Sequence, residues 1–313
     1  MKYVLGRVTY LIVVVFLVSV AVSGLLFLMP GNPATVILGL SATPQQVHML
    51  DQQLGLHGSF FAQYWRWVTQ ALQGNLGVSF QTQEPVVRAI GQGFPVSFEL
   101  VVLAFVISLA VSVPVAIYCA RRVGGAIDSV ATFVSSALLS FPVYIAGIVL
   151  LWLLTVKFRL LPSGNWVSFT TSPIRNIRVA ILPAVSISLL PMGSFFRILR
   201  TDMIATLQQD FILSARAKGL APSYVLWRHA LRPSLFTLMT TAGVFLGSLI
   251  GGSFIVEQIF QVPGMGYTMI QAITTKDIRV IQGITLVTAL GYVVVNLVVD
   301  LLYPVVDPRV RRR

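Results

Sequence analysis

Lysine, histidine and one glycine-flanked serine are the residues of this sequence whose spacing could indicate catalysis. A phosphate-binding loop needs a Gly-Lys pair followed by serine or threonine. The residues that follow the four lysines are Tyr3, Phe158, Gly219 and Asp277. The serine in "GGSFI" lacks the second glycine of a nucleophile elbow, and no histidine lies in an H-E-x-x-H motif. The sequence therefore predicts neither an ATP site nor a hydrolytic site.

Titratable side chains are also missing from the apolar parts of the chain. Ion-driven carriers usually bury such side chains in their membrane helices. The long windows without Asp, Glu, Lys or Arg contain no histidine either, because His48, His57 and His229 lie between them. Ion coupling is therefore disfavoured, although backbone carbonyl groups could still bind Na⁺. Without the spacing of metal ligands, His48 and His57 are interpreted as solvated or capping residues.

The apolar windows define the fold class. Hydrophobic residues make up 56% of the 313 residues and charged residues 10%, whereas about a quarter of a soluble domain is charged. A bilayer-spanning helix needs roughly 20 mostly apolar residues. Six windows of that length run from Val8 past Met29, and between Glu99 and Arg121, Asp128 and Lys157, Arg178 and Arg197, Arg232 and Glu257, and Arg279 and Asp300. We expect an all-α polytopic membrane protein with six transmembrane helices.

The first window could instead be a signal peptide, because Lys2 and Arg7 precede it. Its apolar core from Leu11 to Met29 exceeds the roughly 7 to 15 residues of a signal-peptide core, and no clear cleavage site precedes "PGNPA". It is therefore predicted to remain as a membrane helix. The single Cys119 excludes a disulfide or a cysteine-based metal cluster within one chain.

The distribution of basic residues predicts the orientation. With the N-terminus in the cytoplasm, fourteen Lys and Arg residues fall on that side and eight on the other, where the loops are longer. The positive-inside rule then places both termini in the cytoplasm. The net charge of +12 comes from these helix flanks and from the terminal "RVRRR". Lipid headgroups and an acidic partner surface are the expected counterparts, rather than nucleic acid.

Residues 201–233, between the fourth and fifth windows, are basic and contain aromatic side chains. Thr201 or Asp202 could cap a helix there, and Gly219 suits the left-handed residue that ends it. Pro222 suits the first turn of a second short helix. The small or apolar face of the first helix is predicted to hold Leu207, Phe211, Ser214 and Ala215, with Gln208, Arg216 and Lys218 opposite. Spacing alone allows either a knob for a soluble partner or an interfacial helix on anionic lipid.

Several stretches resemble one family of membrane proteins. "ARAKGL" followed by "RHALRPSL" resembles the cytoplasmic coupling loop of the dipeptide, oligopeptide and nickel permease family of ABC importers. "PGNPA", "LGLHGSFFAQYWRWV" and "GNLGVSFQTQEPV" resemble the first outer loop of that family, "VEQIFQVPGMG" its last outer loop and "NLVVDLLYPVVDPRV" its end. The resemblance covers nearly the whole chain in the same order. It implies the transmembrane domain of a type I ABC importer.

The resemblance also implies partners and a site. It implies a second homologous permease chain, two ATPase subunits that bind ATP and Mg²⁺, and an extracytoplasmic substrate-binding protein, in a bacterial inner membrane. This chain would bind no cofactor and catalyse no reaction, and peptides are the expected cargo. The coupling residues implied are Ser214, Ala215, Arg216, Ala217, Lys218, Gly219, Leu220, His229 and Leu231. Leu213 and Ser214 depart from the Glu-Ala start of the family loop, and Asn32 and Asn75 replace two of its usual aspartates.

The fifth window contains small and hydroxyl-bearing residues that could line a pathway. They are Thr241, Gly243, Gly247, Ser248, Gly251 and Ser253. Close packing of helices explains glycines at four-residue spacing equally well. We expect a first helix with an outer loop (1–93), a transport core (94–304) that contains the coupling loop (201–233), and a basic tail (305–313). The alternatives are a self-contained channel or ion-coupled carrier and a membrane anchor without transport.

Overall fold

The chain is helical in nearly all of the part that the structure describes. The computed structural model describes residues 2–28, 33–38, 42–54 and 59–306. Within these ranges the β pairing is one isolated bridge between Val78 and Pro85. The predicted all-α class is therefore confirmed. Pro30 to Asn32, His57 and the tail from residue 307, all singled out in the sequence, lie outside the described residues.

Thirteen α-helices follow one another in the described part of the chain, and the longest connections there are residues 73–85 and 158–172. In chain order they are α1 (Lys2–Leu28), α2 (Pro33–Leu38), α3 (Pro44–Leu54), α4 (Phe60–Leu72), α5 (Val86–Arg121), α6 (Ala126–Ser140), α7 (Val143–Leu151), α8 (Pro173–Leu207), α9 (Asp210–Ala217), α10 (Pro222–Tyr224), α11 (Leu231–Phe260), α12 (Met265–Thr274) and α13 (Ile278–Val306). A π-helical segment, Trp152–Lys157, extends α7, and a second one, Val225–Ala230, joins α10 to α11.

All six charge-free windows fall on helices. Among the described residues, four helices are long and apolar enough to cross a membrane: Val86–Arg121, Pro173–Leu207, Pro222–Phe260 and Ile278–Val299. The bent pair α6 and α7 forms a fifth such span if it is counted as one, and the first window contributes the apolar segment Leu11–Leu25 of α1. The prediction of a multi-pass helical membrane protein is confirmed.

The sequence analysis predicted one helix for the third window, but the structure has two helices there with a sharp bend between them. The helix pair Ala126–Ser140 and Val143–Lys157 bends by 105°. Phe141, at the break, has extended backbone angles (φ −90°, ψ 127°) and precedes Pro142. Because the ring of a proline crowds the residue before it out of the α region, the helix ends there and a new one begins after Pro142.

The structure divides into two compact units. The first contains the described residues up to 98 together with 261–294. Inside it, Asp277 holds the loop that precedes α5, because its Oδ2 accepts hydrogen bonds from Ser79 Oγ (2.6 Å) and from the backbone N–H of Phe80 (3.0 Å). Ser79, Phe80 and Asp277 are all buried. This carboxylate therefore joins two loops that are far apart in sequence.

Helices α5 and α12 approach each other closely in the first unit. Ser97 Oγ accepts a hydrogen bond from the backbone N–H of Met265 at 2.8 Å. One turn earlier in α5, a Cβ atom on Gly93 would lie 2.8 Å from the same nitrogen and 3.0 Å from the carbonyl carbon of Gly264. Only glycine at position 93 fits this approach of two backbones.

The aromatic residues of α4 divide between two faces. Tyr64 and Trp67 are buried, and the hydroxyl oxygens of Tyr64 and Ser19 lie 2.8 Å apart, so this face packs on α1. Phe61 and Trp65 are 77% and 65% exposed. Helix α4 is therefore amphipathic, with an aromatic outer face of the kind that suits a membrane interface.

The second unit contains the described residues 99–260 and 295–306. Phe195 is fully buried on α8, and its ring meets the rings of Phe105 and Phe245 edge to face at centroid distances of 6.1 and 5.4 Å. These three rings come from α5, α8 and α11. Edge-to-face pairs stabilise by about 1 kcal/mol beyond the area that they bury. The aromatic cluster thus fixes three membrane-length helices to one another.

We expect Gly93→Ala to destabilise the first unit by about 1–3 kcal/mol, since the new methyl group would press against backbone atoms of α12. Gly91→Ala is the matched control, because a Cβ there meets nothing within 4 Å and alanine favours a helix by about 0.5–1 kcal/mol. Thermal unfolding in detergent should lower the apparent Tm of Gly93→Ala and leave that of Gly91→Ala equal or higher. Equal Tm values for the two variants would contradict the close approach.

Candidate functional site

The segment between α8 and α11 folds as a helical hairpin, residues 208–230, which we call the hairpin. Its first arm, α9, ends at Ala217 and is followed two residues later by Gly219, whose φ is +76°. The N–H of Gly219 donates to the carbonyl of Arg216 (2.9 Å) and the N–H of Leu220 to that of Ala215 (3.3 Å). These two bonds form a Schellman motif, which needs a left-handed residue and therefore favours glycine. The prediction that a left-handed Gly219 ends the first helix is confirmed.

The start of the first arm differs from the prediction. Thr201 and Asp202 lie inside α8, which continues to Leu207, and α9 begins only at Asp210. No glycine or proline interrupts the sequence between Arg200 and Leu207, so the helix of the fourth window has no reason to stop before the Gln-Gln turn. The predicted cap at Thr201 or Asp202 is therefore wrong.

The second arm begins at Pro222, as predicted, but it is not a separate helix. It continues through the π-helical turn Val225–Ala230 into α11, so that Pro222–Phe260 forms one span of 39 residues. Proline at position 233 has no N–H to donate to the carbonyl of His229, and its ring crowds that carbonyl. The π-helical turn lies directly before this position and widens the helix there.

The hairpin is anchored by a buried face of α9. Ile212 is fully buried and Ala215 is 7% exposed, and both pack in the core that contains Val225 and Leu226 of the second arm. The predicted face was correct for Ala215 but wrong for Phe211 and Ser214, which are exposed. Leu207 belongs to α8 and not to α9, and a turn at residues 208–209 separates the two helices. The helical spacing between Leu207 and the residues of α9 therefore does not apply. The buried positions of α9 are therefore 212 and 215.

The outer surface of the hairpin combines large apolar and basic side chains. Phe211, Leu213, Tyr224 and Trp227 are 46%, 55%, 50% and 58% exposed. The ring of Tyr224 meets that of His229 edge to face at 5.5 Å, and the exposed basic residues are Arg216, Lys218 and Arg228. Large apolar side chains exposed beside basic ones are common at protein or membrane contacts.

The residues predicted for coupling fall into two groups. Ser214, Arg216, Ala217, Lys218, Gly219 and Leu220 are exposed, whereas Ala215 and Leu231 are buried and His229 is half-buried. The exposed group lies around the Schellman motif, where it can touch a partner. Ala215 and Leu231 pack in the core, where they can only position the exposed residues.

A cavity of about 600 Å³ separates the hairpin from the end of α5. Arg121, Gln208 and Arg216 contribute polar groups to its wall, and Leu207 and Leu226 contribute apolar ones. No acidic residue lines it. The cavity thus adds positive charge beside the exposed face of the hairpin.

A buried ion pair holds α6 to α8 near the hairpin. Asp128 is 4% exposed. Its Oδ1 accepts a hydrogen bond from Arg200 Nε (2.5 Å) and its Oδ2 accepts from Arg200 Nη2 (2.7 Å) and the backbone N–H of Gly124 (2.9 Å). Bidentate bonding of this kind satisfies a desolvated carboxylate. The sequence analysis used Asp128 only as the end of a window. The sequence shows only that an aspartate lies three residues after Gly125, where it suits the first turn of a helix, and it does not show that Arg200 is its partner.

The residues predicted to line a pathway do not share one face of α11. Gly243, Gly247 and Ser253 are buried, Thr241 is half-buried, and Ser248 and Gly251 are exposed. A Cβ atom on Gly243 would lie 2.4 Å from Val299 Cγ1, so this glycine serves close packing with α13. Ser253 Oγ donates to Oε1 of the fully buried Glu257 at 2.8 Å. The exposed face of α11 carries Ser248 and Gly251 together with Val244, Gly252 and Ile255.

The fold and the hairpin define a class of protein, a multi-pass helical membrane protein with a helical hairpin between two spans. The family described as the binding-protein-dependent transport system inner membrane component matches residues 112–312. The N-terminal component of the same kind of system matches residues 1–101. The chain belongs to this family, and the resemblance seen in its sequence motifs is confirmed. It is an ABC importer permease of type I fold.

Relatives match almost from end to end. A Brucella abortus (strain 2308) protein named as a permease of a peptide transport system is 35% identical over 308 residues, 98% of each chain. The dipeptide transport system permease of Lactococcus lactis subsp. cremoris (strain MG1363) is 34% identical over 99% of each chain. The nickel import system permease of Staphylococcus aureus (strain USA300) is 31% identical over 99% of this chain and 92% of its own length.

We expect Asp128→Asn to lower the free energy of unfolding by about 3–5 kcal/mol, because it leaves the partly buried guanidinium of Arg200 without its counter-ion. Glu84→Gln is a matched control, since Glu84 pairs with Arg88 at 4.0 Å on the surface, where such pairs contribute about 0–1 kcal/mol. Thermal unfolding in detergent measures the stability of both variants relative to the wild type. A Tm loss for Asp128→Asn no larger than that for Glu84→Gln would show that the buried pair contributes little.

Proposed function

We propose that this chain is one of two homologous permease subunits that together form the pathway of an ATP-driven importer. The pathway would carry di- or oligopeptides delivered by an extracytoplasmic binding protein. Two ATPase subunits would bind ATP and Mg²⁺, and this chain would catalyse no reaction of its own. The hairpin is the observation that carries the proposal. A self-contained channel or carrier would not need a helical hairpin of this kind, with exposed apolar and basic side chains, between two spans.

The hairpin is built to transmit movement. Its first arm is held to the core by Ile212 and Ala215, and its second arm continues as one helix into the fifth span. An ATPase subunit that grips the exposed side chains of Leu213 and Trp227 would therefore move α11 directly. Because the ends of α5, α8 and α11 share one buried core, they would move with the hairpin as one body.

The exposed face of α11 is the best candidate for the part of the pathway that this helix lines. It carries Ser248, Gly251 and Gly252 between Val244 and Ile255, and none of these side chains is charged. Such a surface offers hydroxyl and backbone groups without a fixed charge. It would let varied peptides pass without binding any of them tightly, leaving selection to the binding protein. Gly243, Gly247 and Ser253, which lie on the buried side of α11, would position this helix by close packing.

Peptide cargo is supported by the names of relatives. The Brucella abortus and Lactococcus lactis proteins are named for peptide and dipeptide transport, and the Staphylococcus aureus protein for nickel import. The first two are also slightly more similar to this chain. With the N-terminus in the cytoplasm, fourteen Lys and Arg residues would lie on that side and eight on the other, so the positive-inside rule would place the hairpin and both termini in the cytoplasm.

The docking role is tested by Leu213→Glu in the complex encoded with this permease. Because Leu213 is exposed and is not part of the buried core, the variant should fold and reach the membrane. It should lose at least tenfold of the co-purifying ATPase subunit, since buried apolar anchors of an interface typically contribute 2 kcal/mol or more. Val123→Glu is the control, because Val123 is also an exposed apolar residue, two residues after α5, on the α5 side of the cavity beside the hairpin.

Two outcomes would count against docking through the hairpin. One is retention of the ATPase subunit by Leu213→Glu at the wild-type level. The other is an equal loss with Val123→Glu, which would show a general response to added negative charge at this end of the protein.

The cargo is tested in proteoliposomes that contain the whole complex and its binding protein. We expect ATP-dependent uptake of a radiolabelled dipeptide or pentapeptide, and we expect excess unlabelled peptide to compete with it while Ni²⁺ does not. ATP-dependent uptake of ⁶³Ni²⁺ without peptide uptake would reject the peptide assignment but leave the importer assignment intact.

A further inference from the structure

An apolar groove with a volume of about 410 Å³ runs between α5, α6 and α8 in the second unit. None of its lining residues is charged. Its walls include Val111 and Val115 from α5, Val130 and Val134 from α6, and Met192 and Phe196 from α8. An apolar cavity of roughly 150 Å³ accepts one benzene molecule, so this groove has room for a much longer hydrocarbon.

The groove is open to the surroundings of the helices. Val130 and Val134 on its rim are 62% and 46% exposed. Helices α5 and α8 are both long and apolar enough to cross a membrane. The groove therefore faces the hydrocarbon region of a bilayer, where the molecules at hand are lipids and neighbouring protein helices.

A cationic side chain is bonded to a tyrosine on the face of α5 that lines the groove. Val111, Val115 and Tyr118 follow at positions i, i+4 and i+7, and so lie on one face of α5, and Arg122 is the first residue after the helix. Arg122 Nη1 donates to Tyr118 Oη at 3.0 Å, and the guanidinium carbon lies 5.4 Å from the ring centroid. The apolar stripe of α5 thus ends in a positive charge held by an aromatic ring.

The turn that follows Arg122 keeps this charge next to the groove. The backbone N–H of Gly125 donates to the carbonyl of Arg122 at 3.1 Å, and the next residue, Ala126, lines the groove and begins α6. The N-terminus of a helix favours a negative charge. The nearby acid, Asp128, is already bonded to Arg200 and to Gly124 N–H, so it does not neutralise Arg122.

We propose that this groove binds one phospholipid with an anionic headgroup. An acyl chain would lie along the valines, and the phosphate would lie at Arg122 and the start of α6. The exposed valines of the rim and the cation bonded to Tyr118 match the two parts of such a lipid, a hydrocarbon chain and an anionic headgroup. The lipid would fill the space between α5, α6 and α8 beside the Asp128–Arg200 pair.

The headgroup is tested by native mass spectrometry of the detergent-purified complex with added dioleoylphosphatidylglycerol or dioleoylphosphatidylcholine. Arg122→Gln should reduce retention of the glycerol lipid about fivefold, the effect of one basic residue at a membrane surface, and leave retention of the choline lipid unchanged. Arg121→Gln is the matched control, because Arg121 lines the other cavity, beside the hairpin. Equal retention of both lipids by wild type and by Arg122→Gln would overturn the headgroup site.

The acyl chain is tested by filling the groove. Val130→Trp should reduce retention of both lipids several-fold, whereas Phe133→Trp, at a 75% exposed position outside the groove, should not. If Val130→Trp does not fold, the Arg122 comparison alone decides. Efficient cross-linking of Val130→Cys to a cysteine of the second permease chain would show that protein covers the groove, and would overturn the proposal.

Discussion

The ion pair between Asp128 and Arg200 lies where the helices of the second unit meet, and the position of the hairpin depends on it. Taking a carboxylate and a guanidinium out of water is costly unless each oxygen is bonded, and here both oxygens of Asp128 are bonded. Breaking the pair would leave an uncompensated charge inside an otherwise apolar contact between α6 and α8. The pair therefore fixes the register of α8 against α6, and α8 in turn supplies Leu199 and Met203 to the core on which the hairpin rests.

That core explains how an eight-residue helix can be rigid. An isolated helix as short as α9 is unstable in water, since nucleation costs more than a few hydrogen bonds return. Ile212 and Ala215 attach it to side chains from three long helices, and the Schellman motif at Gly219 fixes the direction in which the chain leaves it. The side chains that remain outside, such as Leu213 and Trp227, are then presented in one arrangement. Preorganisation of this kind reduces the entropy lost when a partner binds.

Sequence patterns were sufficient for the spans, the turn at Gly219 and the start at Pro222, because each of these depends on local chemistry. They were insufficient where contacts between distant parts of the chain determine the local structure. The end of α8 could not be located, since Thr201 and Asp202 are good capping residues that the helix nevertheless includes. The break at Pro142 could have been found from the rule for residues before proline, whereas Pro183 and Pro191 lie inside an unbroken α8. The partnership of Asp128 with Arg200 joins residues 72 positions apart, and a single sequence contains no signal for it.

The continuity of the span from Pro222 to Phe260 has a geometric consequence. At 1.5 Å per residue, 39 residues extend about 58 Å, longer than the bilayer is thick. The helix is therefore a lever with its short arm outside the hydrocarbon, and a tilt of roughly 10° about one end displaces the other by about 10 Å. The π-helical turn near the short arm is the place where such a rod can yield, because a wide turn leaves the backbone hydrogen bonds less well formed. The stiffness of the π-helical turn therefore determines how much of a displacement at one side of the membrane is transmitted along the helix to the other side.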